Sequence, residues 1–415
     1  MYRPIVDIAI IGGGAAGFFA AITCAEANPA CRVTIFERGK AVLEKVRISG
    51  GGRCNVTHAC FDARELVKNY PRGSRELLGP FMQFGPEQTV DWFARRGVSL
   101  KTEPDGRMFP VSDDSQTIID CLLRAAQRAG VQVRIGTRVE KVEPLPSGEW
   151  HITLAGAQEP AVFSKIMIAT GSNPAVWDML HALGHSLVPP VPSLFTFNTK
   201  DTRLRDLSGV SVPDASLRIP GTKLSAEGPL LVTHWGLSGP AVLRISAWGA
   251  RELHGLEYRF PLEINFLGKT GSLEAGEELQ RLKTEQGKKQ VASNAQFSLP
   301  QRLWQSLADA AGIPAERRWA DLDKKQLTGL TAQLTAAVFQ IAGKSTFKEE
   351  FVTAGGVVLK ELNFKTFESK IHPNLFLAGE VLDIDAITGG FNFQAAWTGG
   401  QLAGKAMALN ASSRL

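Results

Sequence analysis

The chain has 415 residues, of which 44% are hydrophobic and 21% are charged, and its formal net charge is +5. This composition is typical of a soluble globular protein, and the length predicts two or three domains. The positive charge permits a polyanionic partner but does not point to one. No run of about eighteen apolar residues occurs, and the five cysteines do not suggest a disulfide framework. We therefore expect a cytoplasmic protein without a membrane span.

The first predicted element is an apolar strand over 6–11, which leads through a Gly-x-Gly-x-x-Gly turn into an alanine-rich helix over 18–27. Gly12 permits the tight turn, Gly14 allows a pyrophosphate to approach the backbone, and Gly17 lets the helix pack against the strand. The start of the helix offers unpaired N–H groups and a positive dipole to phosphates. This pattern predicts a dinucleotide-binding turn.

A second apolar run covers 31–36 and ends at Glu37. A carboxylate at this position can accept hydrogen bonds from both ribose hydroxyls of an adenosine. A glycine-rich loop follows at 49–57, where three glycines precede Arg53 and Asn55. Such a loop suits backbone wrapped around a phosphate or a flat ring, although a flexible surface loop has the same composition.

Further along the chain, apolar periodicity predicts alternating helices and strands. The predicted helices cover 88–96 and 116–129. The predicted strands are a pair at 131–135 and 139–142, a hairpin at 150–154 and 161–163, a buried strand at 165–168 that ends in a glycine turn, and a late buried strand at 375–377.

The proline-rich segment 188–192 predicts a domain crossing. Short strands with proline and glycine turns follow it, and then a polar helical stretch. Because the first and last segments both look like parts of one nucleotide-binding sheet, we interpret the middle as an insertion. The predicted division is the first part of the dinucleotide-binding domain at 1–190, an inserted β-barrel at 191–271, a small helical insert at 272–334, return strands of the barrel at 335–356 and the last part of the dinucleotide-binding domain at 357–415.

Two further motifs indicate that the dinucleotide is FAD. The strand ends at 168–171 and 376–380 are similar to the second and third sequence fingerprints of two-dinucleotide-type flavoproteins. In those proteins the helix after the third motif begins at the flavin, and here that helix begins within 388–394. A helix N-terminus at this point stabilises negative charge on the reduced ring. The order of the three motifs predicts an α/β fold with a discontinuous Rossmann-like FAD-binding domain.

Four longer motifs extend this pattern over nearly the whole chain. They are Ser-Gly-Gly-Gly-Arg-Cys-Asn-Val-Thr at 49–57, Thr-His-Trp-Gly-Leu-Ser-Gly-Pro-Ala-Val-Leu at 233–243, Phe-Val-Thr-Ala-Gly-Gly-Val at 351–357, and Ala-Gly-Glu-Val-Leu-Asp-Ile-Asp with Gly-Gly-Phe-Asn-Phe-Gln within 378–394. In these motifs the chain resembles the BaiN/RdsA family of bacterial NAD(P)/FAD-dependent flavoproteins. The resemblance implies a discontinuous FAD domain, an inserted β-barrel and a small helical insert. Members of that family are linked to reduction of steroid-type enones, to dihydrouridine formation in ribosomal RNA and to amine oxidation, so the cofactor is implied more narrowly than the substrate.

Carried over position by position, the motifs and the resemblance imply a set of residues that line the FAD, with Val139 contributing its backbone near the adenine. The set is Gly12, Gly14, Ala15, Ala16, Gly17, Glu37, Arg38, Lys45, Ser49, Gly51, Gly52, Arg53, Cys54, Val139, Thr170, Gly171, Gly379, Glu380, Gly389, Gly390, Phe391 and Asn392. The chain departs from the family at 43–45, where only Lys45 matches the usual Gly-Arg-Lys. It also departs at 172–185, where a shortened segment keeps only Leu183-Gly184-His185, and this leaves the substrate open.

Cys54 and His234 are the candidate catalytic residues. Cys54 could serve as a general acid or a redox thiol, or it could be a small residue that fits against the cofactor. His234 could protonate a substrate near neutral pH, or it could be a hydrogen-bonded structural histidine. Functional and structural interpretations also stand side by side for His58 and for Arg107, which could hold an anionic substrate.

The sequence predicts no metal site, because the histidines are scattered and no Cys-x2-Cys pair occurs. No second complete Gly-x-Gly-x-x-Gly appears either. We therefore expect NAD(P)H, if it is the electron donor, to bind transiently at the flavin rather than in a domain of its own.

Several functions stay open from the sequence. The first is an FAD-dependent reductase that delivers hydride from flavin N5 to a conjugated C=C bond of a small molecule. The second is an amine oxidase that passes electrons to oxygen. The third acts on a uridine of ribosomal RNA, with the insert docked on the RNA; within 276–325, nine Lys and Arg against seven Asp and Glu neither support nor exclude this. A pure FAD-binding module without turnover stands beside them.

Overall fold

The computed structural model describes residues 6–345 and 352–409, and these residues form two compact units. The described residues of unit 1 are 6–191 and 352–409, and those of unit 2 are 192–345. Within the predicted return strands at 335–356 and the motif at 351–357, residues 346–351 lie outside the described residues.

The chain alternates short helices and strands throughout both units. The α-helices of the described residues are α1 Ala15–Ala27, α2 Glu44–Ile48, α3 Ala63–Leu66, α4 Ser74–Gln83, α5 Pro86–Ala94, α6 Ser115–Arg128, α7 Pro174–Ala182, α8 Pro240–Trp248, α9 Ala250–Gly255, α10 Ser272–Glu285, α11 Gln301–Ala310, α12 Lys324–Thr335 and α13 Phe391–Ala408. The strands are β1 Val6–Ile11, β2 Cys31–Phe36, β3 Thr57–His58, β4 Leu100–Thr102, β5 Arg107–Pro110, β6 Gln132–Arg134, β7 Val139–Pro144, β8 Trp150–Leu154, β9 Ala161–Phe163, β10 Lys165–Ile168, β11 Leu187–Ser193, β12 Thr196–Asn198, β13 Ser211–Arg218, β14 Ser225–Thr233, β15 Gly236–Ser238, β16 Arg259–Asn265, β17 Ala337–Ala342, β18 Lys344–Ser345, β19 Val352–Val357, β20 Leu362–Asn363, β21 Glu368–Ser369 and β22 Leu375–Leu377.

Unit 1 is built on a seven-stranded sheet in the order β20-β21-β22-β10-β1-β2-β6. The five strands from β22 to β6 are parallel. Strands β1, β10 and β22 are buried along most or all of their length, as is usual for the centre of a parallel sheet. The carboxyl ends of β1, β2, β10 and β22 meet at one edge, which is where open α/β sheets bind their ligands. The predicted α/β fold with a Rossmann-like sheet is confirmed.

One predicted strand pairing is wrong. The runs at 131–135 and 139–142 do not pair with each other, because β6 joins the main sheet beside β2 and β7 pairs with β8 in a separate antiparallel sheet. Two short runs that alternate in polarity carry no information about their partners. The predicted hairpin of β8 and β9 is confirmed.

Strand β19 pairs with β11 in unit 1, whereas the sequence grouped its residues with the barrel. The two adjacent glycines of β19, Gly355 and Gly356, allow the strand to pack closely at this position. A Cβ built at Gly355 would lie 2.6 Å from Pro190 Cα, and one built at Gly356 would lie 2.5 Å from the Val381 carbonyl oxygen. The two glycines of this motif are therefore required by close backbone approach on both sides of the strand.

Unit 2 contains a seven-stranded antiparallel sheet in the order β17-β16-β13-β14-β15-β12-β18. Its two edge strands, β17 and β18, are consecutive in the chain with only Gly343 between them. The Gly343 N–H donates to the Tyr258 carbonyl and its carbonyl accepts from the Asn198 N–H, both at 2.9 Å. The edges of the sheet therefore meet, and the sheet closes into a barrel. Helices α10, α11 and α12 share an apolar core with it that contains Trp304 and Trp319.

Helices α1 and α13 of unit 1 approach each other at backbone distance. A Cβ built at Gly400 would lie 2.6 Å from the Ala16 carbonyl oxygen, and one built at Gly404 would lie 2.6 Å from the Ala20 carbonyl oxygen. Because both contacts advance by four residues, the two helices run parallel. Their N-termini therefore point toward the same edge of the sheet, and glycine at these positions is a packing requirement.

We expect Gly404→Ala to destabilise unit 1, because the added methyl collides with the backbone of α1. The expected loss in the free energy of unfolding, measured by urea denaturation, is about 1–3 kcal/mol. Gly79→Ala is the matched control, since Gly79 lies inside α4 with no atom within 4 Å of the added methyl. That variant should be neutral or more stable by up to about 1 kcal/mol. Equal unfolding curves for the two variants would contradict the close helix packing.

Candidate functional site

The glycines in the turn between β1 and α1 are required for different physical reasons. A Cβ built at Gly12 would lie 2.4 Å from the Ala169 carbonyl oxygen, and one built at Gly17 would lie 2.1 Å from the Gly12 carbonyl oxygen. Packing alone therefore requires glycine at these two positions. A Cβ at Gly14 would meet only the Ala169 oxygen, at 4.0 Å. The described residues leave the space beside Gly14 empty, as the predicted approach of a pyrophosphate requires.

Gly14 is also the N-cap residue of α1, and no side chain caps this helix. The N–H groups of its first turn, which includes Ala15 and Ala16, have no side-chain acceptor. The positive end of the helix dipole lies at the carboxyl edge of the parallel strands. This helix start can therefore bind an anion through its backbone alone.

Glu37 follows β2 directly, and backbone N–H groups hold its carboxylate. One oxygen accepts the Gly13 N–H at 2.9 Å and the other accepts the Gly39 N–H at 2.6 Å. Since an ionised carboxylate offers about four lone-pair positions, both oxygens can accept further donors. Arg38 beside it is exposed, and Val139 is half-buried at the first position of β7.

Lys45 and Glu380 form an ion pair at the same edge of the sheet. A Cβ built at Gly171 would lie 3.6 Å from Glu380 Oε2 and 4.0 Å from Lys45 Nζ. Thr170 and Gly379 each lie two residues after the end of a strand, and these strands, β10 and β22, are adjacent in the sheet. Three motifs that lie far apart in the sequence are thus brought together. The Lys45 side chain is 54% exposed, so its cation is accessible to an anionic ligand.

The glycine loop after α2 presents bare backbone. Gly50, Gly51 and Gly52 all have left-handed φ values, of +58°, +69° and +84°. No atom of the described residues lies within 4 Å of a Cβ built at Gly51 or Gly52, whereas one at Gly50 would collide with Phe109. The Ser49 hydroxyl donates to the Val46 carbonyl at 3.0 Å and ties the loop to α2. The loop therefore has one packed side and one open side.

Arg53 anchors this loop and does not project freely from it. Its Nη1 lies 2.6 Å from Glu103 Oε1 and 3.5 Å from Asp113 Oδ1. Its guanidinium centre lies 4.0 Å from the centroid of the buried Phe109 ring. The sequence does not predict Glu103, Phe109 and Asp113 as partners of Arg53, because no spacing pattern links them to a loop some fifty residues away.

The glycine loop contacts the start of α13. The Asn55 side-chain amide accepts the Gly390 N–H at 3.0 Å and donates to the Thr57 carbonyl at 3.0 Å. The Thr57 hydroxyl donates to Gln394 Oε1 at 2.6 Å, in a buried hydrogen bond between residues that are 337 positions apart. These bonds join two of the predicted motifs into one surface. Sequence analysis singled out the motifs but not Thr57 and Gln394 as the residues that connect them.

Gly390 is the N-cap residue of α13, and no side chain caps this helix either. Asn392 in the first turn uses both ends of its amide on Ala386, with Oδ1 accepting at 3.0 Å and Nδ2 donating at 3.2 Å. Phe391 is buried, and its carbonyl accepts from the Tyr70 hydroxyl at 2.6 Å. A second uncapped helix start therefore lies beside the glycine loop.

Cys54 lies in the glycine loop as a fully buried residue with a φ of +61°. Burial raises the pKa of its thiol to about 12. Because the thiolate is the reactive form of cysteine, a thiol with this pKa is inert near neutral pH. The geometry favours the structural interpretation of Cys54 over a redox or acid role.

His234 belongs to unit 2, where it lies in the exposed turn between β14 and β15. Its ring centroid lies 6.3 Å from that of Trp235, and the ring makes no hydrogen bond within the described residues. The Thr233 hydroxyl before it is buried and also lacks a partner in the described part of the chain. This turn is therefore not held by the hydrogen bond that a structural histidine would supply.

His58 lies against the start of α13, with its ring stacked on Phe391 at a centroid distance of 4.6 Å. Its Nε2 lies 3.1 Å from the Asp105 carbonyl oxygen, so Nε2 carries the proton of the neutral ring. Its Nδ1 is buried without a partner among the described residues. Burial lowers the pKa of His58.

Arg107, the other candidate near this position, is ion-paired with Glu103 at 2.9 Å and with Asp105 at 2.7 Å. These pairs favour its structural interpretation.

The segment Leu183-Gly184-His185 in unit 1 ends at a buried histidine. His185 is 1% exposed, with Nδ1 2.9 Å from Glu361 Oε2 and Nε2 3.1 Å from Ser369 Oγ. His181 precedes it by four residues, a spacing found in metal sites, but its Nδ1 contacts the His185 backbone oxygen at 3.3 Å. Over 6–345 and 352–409, no group of three or more potential metal ligands occurs. Within the same ranges, no helix is long and apolar enough to cross a membrane.

Comparison with known proteins gives consistent matches over the whole chain. The family model described as the HI0933-like protein Rossmann domain matches residues 6–406. The 3-dehydro-bile acid delta(4,6)-reductase of Clostridium scindens is 30% identical over 97% of this chain and 98% of its own length. The ribosomal RNA dihydrouridine synthase of Escherichia coli is 29% identical over 94% of this chain and 95% of its own. Among solved structures, the 3-ketosteroid-delta4-(5alpha)-dehydrogenase of Rhodococcus jostii RHA1 has the same fold, with a TM-score of 0.53, 14% identity and coverage of 99% and 98% of the two chains.

We expect the free energy of unfolding to fall as the pH drops below about 6.5, in part through His185. Burial lowers the pKa of His185 in the folded protein, although Glu361 acts in the opposite direction. The unfolded chain therefore takes up the proton first, so this stabilisation is complete above about 6.5 and is lost as the pH falls toward the lowered value. Urea denaturation across this range should show a flatter dependence for His185→Gln than for the wild type. His151→Gln, at a half-buried histidine of β8, is the control, and identical pH dependences for all three proteins would argue against this role.

We expect Gly14→Val to fold like the wild type and to lose bound FAD. Gly14 has an ordinary φ of −92° and an empty Cβ position, so the valine is tolerated by the protein but occupies the space of a pyrophosphate. The ratio of flavin absorbance to protein, with circular dichroism as the folding check, measures this. Gly17→Val is the contrasting variant, because its 2.1 Å contact should disrupt folding and cofactor binding together. Stoichiometric FAD in folded Gly14→Val protein would overturn the phosphate assignment.

Proposed function

The chain belongs to the HI0933-like Rossmann family and is a flavin-dependent oxidoreductase, and we propose that it reduces a conjugated C=C bond with hydride from bound FAD. The resemblance to the BaiN/RdsA family that the sequence motifs predicted is confirmed. The proposed substrate class is that of small, electron-poor molecules such as enones.

Two relatives support reduction as the direction of the reaction. The name of the bile acid reductase denotes reduction of conjugated double bonds, and the name of the dihydrouridine synthase implies reduction of a uracil C=C bond. Both reactions add hydride and a proton across a double bond that is conjugated to a carbonyl group. We propose this reaction type for the present chain. We do not propose the substrate of either relative on this ground.

The residues at the carboxyl edge of the main sheet fit FAD. We assign the pyrophosphate to the empty space at Gly14 and the uncapped start of α1, and the adenosine ribose to Glu37. Lys45, which is ion-paired with Glu380 but 54% exposed, supplies an accessible positive charge near the phosphates. The open side of the glycine loop and the start of α13 are assigned to the flavin end. The remaining proposed contacts are Ala15, Ala16, Arg38, Ser49, Gly51, Gly52, Arg53, Val139, Thr170, Gly171, Gly379, Glu380, Gly389, Phe391 and Asn392. Cys54 is left out of this set, because it is fully buried.

The observation that carries the proposal is the uncapped N-terminus of α13 beside the glycine loop. The flavin, when bound, supplies hydride from its N5 position. The start of an 18-residue helix with no side-chain cap favours negative charge on a group placed against it. This electrostatic environment favours the reduced, anionic form of a flavin ring and so its ability to collect electrons before the substrate reacts.

The proton that accompanies the hydride is assigned to His234 rather than to Cys54. Cys54 is fully buried and its thiol has a pKa of about 12, which makes it a poor acid at neutral pH. His234 is exposed, and its ring nitrogens are free of hydrogen bonds within the described residues. NAD(P)H is the proposed electron donor, bound transiently.

A uridine of ribosomal RNA is the second candidate substrate, and the RNA synthase relative favours it. In unit 2, Gln290 forms an antiparallel β-bridge with Arg318. This bridge places the segment that contains Lys288 and Lys289 beside the segment that contains Arg317 and Arg318. None of the four cations forms an ion pair in the described part of the chain. Such a surface binds phosphates with strong salt dependence, which gives a separate test of this candidate.

The proposed reaction is tested by mixing the reduced holoenzyme with candidate substrates in the absence of oxygen. With a steroid-type enone, we expect reoxidation of the flavin together with a product two hydrogen atoms heavier, measured by mass spectrometry. The same experiment with a uridine-containing ribosomal RNA fragment tests the second candidate. Flavin reoxidation by oxygen alone, with peroxide release and oxidation of amines, would instead identify an oxidase and contradict both.

We expect His234→Gln to slow flavin reoxidation by the substrate by about 10²-fold or more, as loss of a general acid does. Flavin reduction by NAD(P)H should be unchanged in that variant. Cys54→Ala should change neither half-reaction, because the thiol is protonated and buried. Unchanged reoxidation in His234→Gln, or a loss of that size in Cys54→Ala, would reverse the assignment of the proton donor.

A further inference from the structure

A pocket rich in arginine lies in unit 1, away from the carboxyl edge of the sheet. Helix α1 begins at the phosphate-binding turn and runs for 13 residues, which is roughly 20 Å, to its far end beside Glu26. A pocket of about 280 Å³ opens there. Its charged lining residues are Glu26, Arg95, Arg96, Arg124 and Arg128.

Arg96 forms a fixed wall of this pocket. Its Nη2 lies 2.7 Å from each carboxylate oxygen of Glu26, and its guanidinium centre lies 3.8 Å from the centroid of the Trp92 ring. The Arg96 side chain is only 20% exposed. The single carboxylate of the lining is therefore already neutralised by one of the four arginines.

The other three arginines lack an equivalent partner. Arg124 and Arg128 are one turn apart on α6, and neither forms an ion pair in the described part of the chain. Arg95 reaches Asp91 only at 3.9 Å, with both side chains largely exposed. Like charges spaced by four residues on a helix repel each other, so this arrangement carries a cost in the absence of an anion.

The lining of the pocket also includes Cys121, which is 2% exposed. Burial raises the pKa of Cys121, and the charges of Arg96, Arg124 and Arg128 oppose that rise. Arg96 in the turn after α5 and two arginines of α6 thus line the same pocket and act on the same thiol.

Stabilisation of helix C-termini accounts for part of this charge. Arg95 is the C-cap residue of α5 and Arg128 lies in the last turn of α6, where cations complement the helix dipole. It does not account for Arg124, which stands a full turn earlier and lines the same pocket. The concentration of positive charge therefore exceeds what the helix ends require.

We propose that this arginine pocket binds a phosphate or diphosphate group of a small phosphorylated molecule, at a site separate from the cofactor site. Guanidinium groups bind phosphate oxygens through paired, charge-assisted hydrogen bonds. The pocket volume is just below the range of drug-sized sites, which suits one or two phosphate groups with a small organic part. The reduction reaction does not depend on this assignment.

The test uses the FAD-loaded full chain, so that the cofactor site is already filled. Isothermal titration calorimetry with pyrophosphate and with ADP should show saturable one-to-one binding that weakens with added salt. In the double variant Arg124→Gln/Arg128→Gln we expect affinity to fall by about tenfold or more. Without the ligand, this variant should unfold at the same temperature as the wild type or higher, because a like-charge repulsion has been removed.

The matched control is Arg64→Gln/Arg75→Gln, which removes two exposed arginines from helices α3 and α4 of the same unit. It should bind both ligands like the wild type. No saturable binding at millimolar concentration, or an equal loss in the two double variants, would overturn the proposal. Binding of a short RNA oligonucleotide without binding of pyrophosphate or ADP would also overturn it, in favour of an extended polyanion surface.

Discussion

The parallel packing of α1 against α13 is the constraint on which the candidate site depends. Gly400 and Gly404 bring the two backbones together, so both helix starts face the carboxyl edge of the sheet. Gly400 is nine residues from the start of α13, and its contact Ala16 is one residue from the start of α1, so α13 extends about eight residues, or roughly 12 Å, further. Two positive helix ends at different depths suit an elongated cofactor with a diphosphate in its middle and a redox ring at one end.

Backbone groups rather than free charges form most of this site. The two helix starts are uncapped, and Gly14, Gly51 and Gly52 leave open space where side chains would stand. The charged side chains are paired with other parts of the protein: Arg53 with Glu103, and Lys45 with Glu380. A site of this kind needs little reorganisation when a ligand arrives, because its N–H donors already point outward and its loops are held by other bonds.

Sequence analysis found the elements of the site because they consist of local patterns. The strand, the glycine turn, the helix and Glu37 occur within forty residues, and each has a local physical reason. The contact that joins the motifs was not found, since Thr57 and Gln394 are 337 positions apart and neither motif indicates which residue of the other it meets. For the same reason β6 and β7 were paired wrongly, because alternation in a short strand specifies a face and not a partner. The inert state of Cys54 also follows only from its burial, which its glycine-rich neighbourhood does not reveal.

The central claim is that the carboxyl edge of the unit 1 sheet holds FAD and that this flavin collects electrons for reduction of a substrate. The most direct measurement is the visible absorption spectrum of the purified protein, before and after anaerobic addition of NADH or NADPH. We expect the absorption bands of an oxidised flavin, and we expect them to bleach with one of the two donors. A protein that is colourless and cannot be reconstituted with FAD would contradict the account, and a flavin that neither donor bleaches would contradict its reductive half.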